Sequence, residues 1–304
     1  MSETAGVPRE GQTFGGVSRL VRYANFVKLP HTVFALPFAL VGATLASRIA
    51  PVSSATLAWI ALAFTAARFA AMAFNRIVDR KIDALNPRTR GRELPSGALG
   101  LAEAWASVVA SALLFVLAAW MLNPLCFALS PVALAWVFFY SFTKRFTRWS
   151  HLVLGIGLSI APVGGYLAVA GHWSDPWWML PALAVGVATW VGGFDILYAL
   201  ADEEFDRAQG LHSLPAALGA SGAVIATRIM HVVSVIGLTV AGIGANAGWV
   251  YGLGLAAVIM LLLLEHRLVK ADDLTKLDAA FFTMNGIISI TFFAFVLADR
   301  LLWA

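Results

Sequence analysis

Apolar stretches separated by short polar punctuation run the length of the chain, at approximately residues 32–50, 54–75, 101–121, 125–142, 152–171, 177–200, 217–243, 249–265 and 277–299. Each has about 17 residues or more, enough to cross a bilayer as a helix. The pattern predicts an all-α polytopic membrane protein, a bundle of nine transmembrane helices. Asn123-Pro124 and Ser174-Asp175-Pro176 break the pattern sharply, so the flanking spans are expected to be antiparallel neighbours. No soluble domain interrupts the series. Residues 1–18 are polar and lack the apolar core of a cleavable signal; they are expected to form a disordered tail, leaving 19–304 as one transmembrane domain.

Composition agrees with this pattern. Hydrophobic residues make up 60% of the 304, charged residues only 12%, and mean hydropathy is +0.80, whereas a soluble domain is roughly 25% charged. The basic residues are not scattered evenly. Arg9, Arg19, Arg22 and Lys28 precede the first span, and Arg76, Arg80, Lys81, Arg88, Arg90 and Arg92 follow the second. Lys144, Arg145 and Arg148 follow the fourth, Arg207 the sixth, and Arg267, Lys270 and Lys276 the eighth. Every cluster falls on the side of the amino terminus, which the positive-inside rule assigns to the cytoplasm. The net charge of +4 is thus a topological signal spread over membrane-flanking loops, and nucleic acid is not an expected partner. The single Cys126 has no disulfide or metal partner and reads as a buried structural thiol.

Two acidic clusters stand out from this apolar background. In NRIVDRKID, Asn75, Asp79 and Asp83 are spaced i, i+4, i+8, so on a helix they form one stripe drifting about 40° per step. In DILYALADEEFD, Asp195, Asp202 and Asp206 are separated by seven and four residues, which returns each to within about 20° of the first on a helical projection. Two oxygen-rich stripes facing one another suit hard divalent cations, and Mg²⁺ takes one or two carboxylates together with substrate phosphates. The expected guest is a diphosphate. Either cluster alone would also be explained by carboxylates pairing with Arg76, Arg80 or Lys81 at a helix end. Their repetition at equivalent ends of even-numbered spans favours a shared cation and phosphate site.

Basic residues beside the clusters are candidates for the phosphate oxygens. NPRTRGRELPSG carries Arg88, Arg90 and Arg92 among turn residues; the Arg fork suits phosphate, and topology or anionic headgroups explain such residues equally well. Lys144 and Arg145 in YSFTKRFT face the same choice. Tyr198 lies within about 60° of the second stripe. Arg68, seven residues before Asn75 and on its face, is a charge deep in a span and a candidate for a substrate carboxylate. Glu203 and Glu204 fall off the stripe and read as solvated. Of six scattered His, only His31 and His151 lie near the ends that carry the clusters.

The motifs resemble those of the UbiA superfamily of intramembrane prenyltransferases, whose pattern is NDxxDxxxD in one cytoplasmic loop and YAxxDxxxD in a second. Here they read Asn75-Arg76-x-x-Asp79-x-x-x-Asp83 and Tyr198-Ala199-x-x-Asp202-x-x-x-Asp206. The likeness extends to RTRGRELPSG, to YSFTKRFT and to the DxxYA lead-in at Asp195. Arg76 departs from the usual second residue of the first motif. The resemblance implies a helical bundle with a central cavity under cytoplasmic cap loops, with Asn75, Asp79, Asp83, Asp202 and Asp206 as Mg²⁺ ligands and Asp195 as a further candidate. KLPHTVFALPFA and FDILYALADEEFDRAQGLHSLP are most similar to the 4-hydroxybenzoate polyprenyltransferase branch and to related bacterial enzymes assigned to menaquinone synthesis through futalosine.

On that resemblance the expected reaction is electrophilic prenylation of an aromatic acid by a polyprenyl diphosphate, in ubiquinone or menaquinone synthesis at the bacterial inner membrane. Asp79, Asp202 and Lys144 would act on the departing diphosphate, with Arg88, Arg92, Arg145 and Tyr198 binding it, and Asp195 or Asp202 would take the ring proton. The same donor site would serve other acceptors, such as haem, a chlorophyllide or a glyceryl phosphate ether. A cation-coupled transporter is the reading from another class; it requires acids near the midplane, and these lie at helix ends.

Overall fold

The computed structural model describes residues 18–268 and 283–302, the side chains of residues 20 and 29–34 excepted. Among them every regular element is helical: α1 (Arg19–Phe26), α2 (Leu29–Ala46), α3 (Ser54–Leu85), α4 (Leu101–Leu122), α5 (Pro124–Thr143), α6 (Ser150–Ala170), α7 (Met179–Ala199), a 3₁₀ turn (Leu200–Asp202), α8 (Glu203–Ala208), α9 (Leu214–Gly244), α10 (Trp249–Leu268) and α11 (Asn285–Leu302). Among the described residues eight helices, taking α7 to α8 as one, are long and apolar enough to span a bilayer. The first predicted span corresponds to α2, within which Ala35–Ala46 is an apolar helix. The tail predicted at 1–18 lies outside the described residues apart from Ser18, which caps α1 by accepting from the Val21 amide. The start of the ninth predicted span, 277–282, and both Lys270 and Lys276 also lie outside them.

Helix ends follow local chemistry. Asn123 caps α5 by accepting from the Cys126 amide, with Pro124 in the first turn, where its missing N–H costs nothing. Asn123 also donates to the Leu167 carbonyl at 2.9 Å, tying the α4–α5 turn to the end of α6. Asn86, immediately before Pro87, leaves the helical region (φ −83°, ψ 121°) and stops α3.

The core centres on α7, which packs against both α6 and α9. Its Trp190 stacks on Phe38 of α2 at 4.7 Å, and Phe38 reaches Phe292 of α11. Small residues let backbones approach closely: a Cβ at Gly155 of α6 would overlap the Ala188 carbonyl oxygen of α7, the kind of contact that draws helices together in lipid. Outward faces are apolar instead, with Leu113, Trp120, Ile229 and Val232 exposed. Such a surface needs lipid around it. Cys126 is half-buried rather than enclosed.

The end opposite the acidic motifs is closed by a polar lock. Asp299 of α11, 1% exposed, accepts from Arg48 Nη2 at 2.8 Å and from the amides of Gly248 and Tyr251, while Arg300 donates to Ser47 at 3.0 Å. Arg48 and Arg300 are basic residues on the side that should be poor in them, and this lock accounts for both. Replacing Asp299 with alanine strands Arg48 and two backbone donors. Breaking a buried pair costs about 3–5 kcal/mol, so a marked fall in detergent melting temperature is expected, with little change for Arg90→Ala at an exposed site.

Candidate functional site

Both acidic motifs sit at the same end of the bundle. The first is not in a loop but on the last turns of α3, where Asn75, Asp79 and Asp83 share the predicted face. Asn75 Nδ2 donates to Asp79 Oδ2 at 2.9 Å. Asp79 Oδ1 accepts from Arg145 Nη2 at 2.8 Å, and Asp83 Oδ1 accepts from Arg92 Nη1 at 2.7 Å. The other Asp83 oxygen is buried without a hydrogen bond, with Arg76 4.0 Å away.

The second motif is not one continuous stripe. The 3₁₀ turn at Leu200–Asp202 separates α7 from α8, so Asp195, Asp202 and Asp206 each meet a different partner. Asp202 takes a bidentate fork from Arg88, through Nε at 2.9 Å and through Nη2, and a third bond from Asn86 Nδ2 at 2.9 Å. Arg88 Nη1 also donates to the Tyr198 hydroxyl at 2.9 Å. Asp206, 1% exposed, accepts from Lys144 Nζ at 3.3 Å. Asp195 meets His151 Nδ1 at 2.7 Å.

The loop after α3 reaches these partners because it folds back on itself. Asn86 Oδ1 accepts from the Arg88 amide at 2.9 Å and Thr89 Oγ1 donates to the Asp83 carbonyl at 3.0 Å. Arg88 and Arg92 are thereby aimed at different carboxylates while Arg90 is left exposed. Burial alone would lower the basicity of Arg88, but Asp202 and Tyr198 outweigh it and hold the guanidinium above its ordinary value. Burial likewise acts against Lys144, and Asp206, Asp202 and Asp195 overcome it and raise its pKa. Both remain cationic.

Arg68, predicted for the site, is not joined to these carboxylates: it sits half-buried on α3 with its Nε buried and without a hydrogen bond. Three residues outside the predicted set enter the structure. Asn86, legible in sequence only as a turn residue, bridges Arg88 and Asp202. His151 stands behind Asp195. Lys28, at the α1–α2 junction, has a left-handed backbone (φ 49°), uncommon for a residue with a Cβ. Burial, followed by the positive fields of Arg76, Arg92, Arg88 and Arg68, pulls its ammonium well below 10.5. Clustered cations imply an anion as guest.

A pH dependence follows from Lys28. Between its lowered value and 10.5 the unfolded chain binds more protons at this group, so folding stability from Lys28 rises with pH. Anion binding favours the charged form and weakens over the same window. Calorimetric titration with diphosphate at rising pH below 10.5 is expected to show a loss of affinity that Lys28→Met abolishes; the same slope in the variant would remove Lys28 from the site.

The donor set suits a hard cation: carboxylate and amide oxygens, including the buried Asp83 oxygen without a hydrogen bond. Among the described residues, however, no three Asp, Glu, His or Cys side chains converge to hold a metal by themselves. The five predicted ligands are not one preassembled cage. This suits Mg²⁺, which keeps waters and substrate phosphates in its shell and needs only one or two carboxylates per ion.

An all-helical bundle with carboxylates and cations interleaved at one end defines a multi-pass membrane protein with a charged polar site at that end. Residues 35–287 match the UbiA prenyltransferase family, and the chain belongs to that family. It is 31% identical over 237 residues to a 4-hydroxybenzoate octaprenyltransferase of Nitrosospira multiformis, covering 78% of this chain and 80% of the relative. A 4-hydroxybenzoate octaprenyltransferase of Sodalis glossinidius is 32% identical, covering 77% and 79%. Among solved structures, a UbiA homolog from Aeropyrum pernix superposes with a TM-score of 0.80 at 34% identity, over 88% of this chain and 98% of that one. A UbiA homolog from Archaeoglobus fulgidus bound to DMAPP and Mg²⁺ shares the fold, with a TM-score of 0.70 at 21% identity over 92% and 99%.

Proposed function

We propose that this membrane prenyltransferase transfers a polyprenyl chain from its diphosphate to a 4-hydroxybenzoate-like aromatic acid, with Mg²⁺, in the synthesis of a respiratory quinone. Residues 19–304 act as one transmembrane domain, with the motif end facing the cytoplasm of a bacterial inner membrane, as the distribution of Lys and Arg directs. The observation that carries the reading is the Arg88 fork on Asp202 and Tyr198, which joins the loop after the first motif to the second motif. The names of the relatives support the acceptor.

In this reading Asn75, Asp79, Asp83, Asp202 and Asp206 hold the metal. When bound, Mg²⁺ neutralises phosphate charge and makes diphosphate a better leaving group. Arg88, Arg92, Lys144 and Arg145 turn their donors to the phosphate oxygens, so charge that develops on the leaving group meets cations already in place. The allylic C–O bond breaks with its electron pair on the diphosphate, a ring carbon of the acceptor forms the new C–C bond, and Asp195 takes the displaced ring proton. Arg68, below the carboxylates, holds the acceptor carboxylate. The surrounding apolar helices keep water from the allylic cation.

The test is mass detection of prenylated product from purified protein, geranyl diphosphate, 4-hydroxybenzoate and Mg²⁺. Product lost with EDTA and in Asp79→Asn is expected. Metal-dependent diphosphate release on a different acceptor would retain the donor site and overturn the acceptor; no metal-dependent binding of the donor would overturn both.

A further inference from the structure

On the outer side of the Lys144–Asp206 pair, a groove of about 580 Å³ opens between the α5–α6 loop and the α8–α9 loop. Its volume falls within the range of small-molecule sites, roughly 300–1,000 Å³. Its walls include Phe146, Arg148, Trp149, Arg207 and His212, and none of its lining residues is acidic. None of these residues belongs to the carboxylate site. We propose that the groove binds the headgroup of an anionic phospholipid.

Three features point to this ligand. The first is charge: Arg148 and Arg207 face a common space whose lining carries no carboxylate. Glu203 engages Arg207 at 2.8 Å through Nη2, the same nitrogen that reaches the Ala216 carbonyl, so one guanidinium nitrogen makes both bonds. The second is an aromatic path into the bilayer. Phe146 is 57% exposed and Trp149 47%, with the Arg148 guanidinium 5.7 Å from the Trp149 ring. From Phe146 the path continues down the outer face of α5, to Phe139 at 6.0 Å and on to Trp136 at 6.2 Å. A ligand with a negative head and acyl tails matches both parts, and a water-soluble anion matches only one. The third is position. Basic pockets at the ends of transmembrane helices take anionic headgroups, and Trp and Tyr mark the headgroup level.

The groove also shares a wall with the carboxylate site. The His212 amide donates to the Lys144 carbonyl at 2.7 Å, and Arg207 follows Asp206 in sequence. A phosphate bridging Arg148 and Arg207 therefore clamps the two loops whose side chains form the Lys144–Asp206 pair. Lipid binding itself does not depend on the proposed prenyl acceptor.

The experiment is native mass spectrometry of the full chain in detergent with phosphatidylglycerol or phosphatidylcholine of matched acyl chains, for the wild type and for Arg148→Gln/Arg207→Gln. Retention of phosphatidylglycerol about tenfold above phosphatidylcholine is expected, lost in the Gln pair and largely restored in Arg148→Lys/Arg207→Lys. Inorganic phosphate in excess is expected not to displace it; displacement would make the groove a site for free phosphate and overturn the lipid assignment. Equal retention of the two lipids, or unchanged selectivity in the Gln pair, would overturn it as well. The melting temperature of the Gln pair separates these outcomes from misfolding, and Arg148→Gln alone supplies the readout if the pair fails to fold.

Discussion

Asp202→Ala is expected to lower kcat/KM by about a hundredfold to a thousandfold, about 2.7–4 kcal/mol, the loss that follows removal of one preorganised electrostatic group. The size follows from what Asp202 satisfies. It is nearly buried, takes the Arg88 fork and holds Asn86. Without it Arg88 keeps its charge and its bond to Tyr198 but loses the partner that aims it. Asp202→Asn keeps the shape and removes the charge, so it separates the two contributions; if the ionised carboxylate matters, Asn will fall almost as far as Ala. Arg88→Lys is not a mild change here, because an ammonium cannot span both oxygens of Asp202 and the Tyr198 hydroxyl. A double-mutant cycle between Arg88 and Asp202 should therefore show strong coupling. Additive losses, or an Asp202→Ala enzyme with wild-type turnover, would break the link between this ion pair and the reaction. A melting curve for each variant separates loss of fold from loss of rate.

The parts of this site that sequence revealed are those set by local spacing. Asn75, Asp79 and Asp83 follow the helical repeat, and α3 continues without a break through all three, so their common face was legible. The second motif was misread because its projection assumed an unbroken helix. No Gly or Pro between Asp195 and Asp206 announces the 3₁₀ turn at Leu200–Asp202; tertiary packing imposes it. Pairings across the bundle were also hidden. Arg88, Arg90 and Arg92 are equivalent as sequence, yet one meets Asp202 across 114 residues, one meets Asp83, and one is exposed. Lys28 was legible only as one of four cations before the first span, and its left-handed backbone had no sequence signal. The span count followed from hydropathy, because each long apolar run is answered by a helix, α2 included.

His151 offers the other large effect, and its argument rests on which nitrogen carries the proton. The ring is 1% exposed and joins α6, α7 and α9. Nε2 faces the Leu214 amide at 3.4 Å, an orphan donor in the first turn of α9. An N–H there makes Nε2 the acceptor, so in the neutral ring Nδ1 carries the hydrogen and donates to Asp195 Oδ2 at 2.7 Å. The hydrogen bond fixes the Asp195 rotamer toward the carboxylate site. If Asp195 accepts the ring proton, His151→Phe removes that orientation and takes this partner from the half-buried Asp195 carboxylate and from the buried Leu214 amide. General-base contributions are about 10²–10⁴-fold, so kcat should fall by about that range while donor KM changes little, because Asp195 is not among the diphosphate contacts. His151→Gln, whose amide can donate to Asp195 but lies one bond farther out than Nδ1, should recover part of the rate. A purely structural role predicts a different pattern: a lower melting temperature, KM and kcat shifted together, and no advantage for Gln over Phe in the rate of the folded fraction.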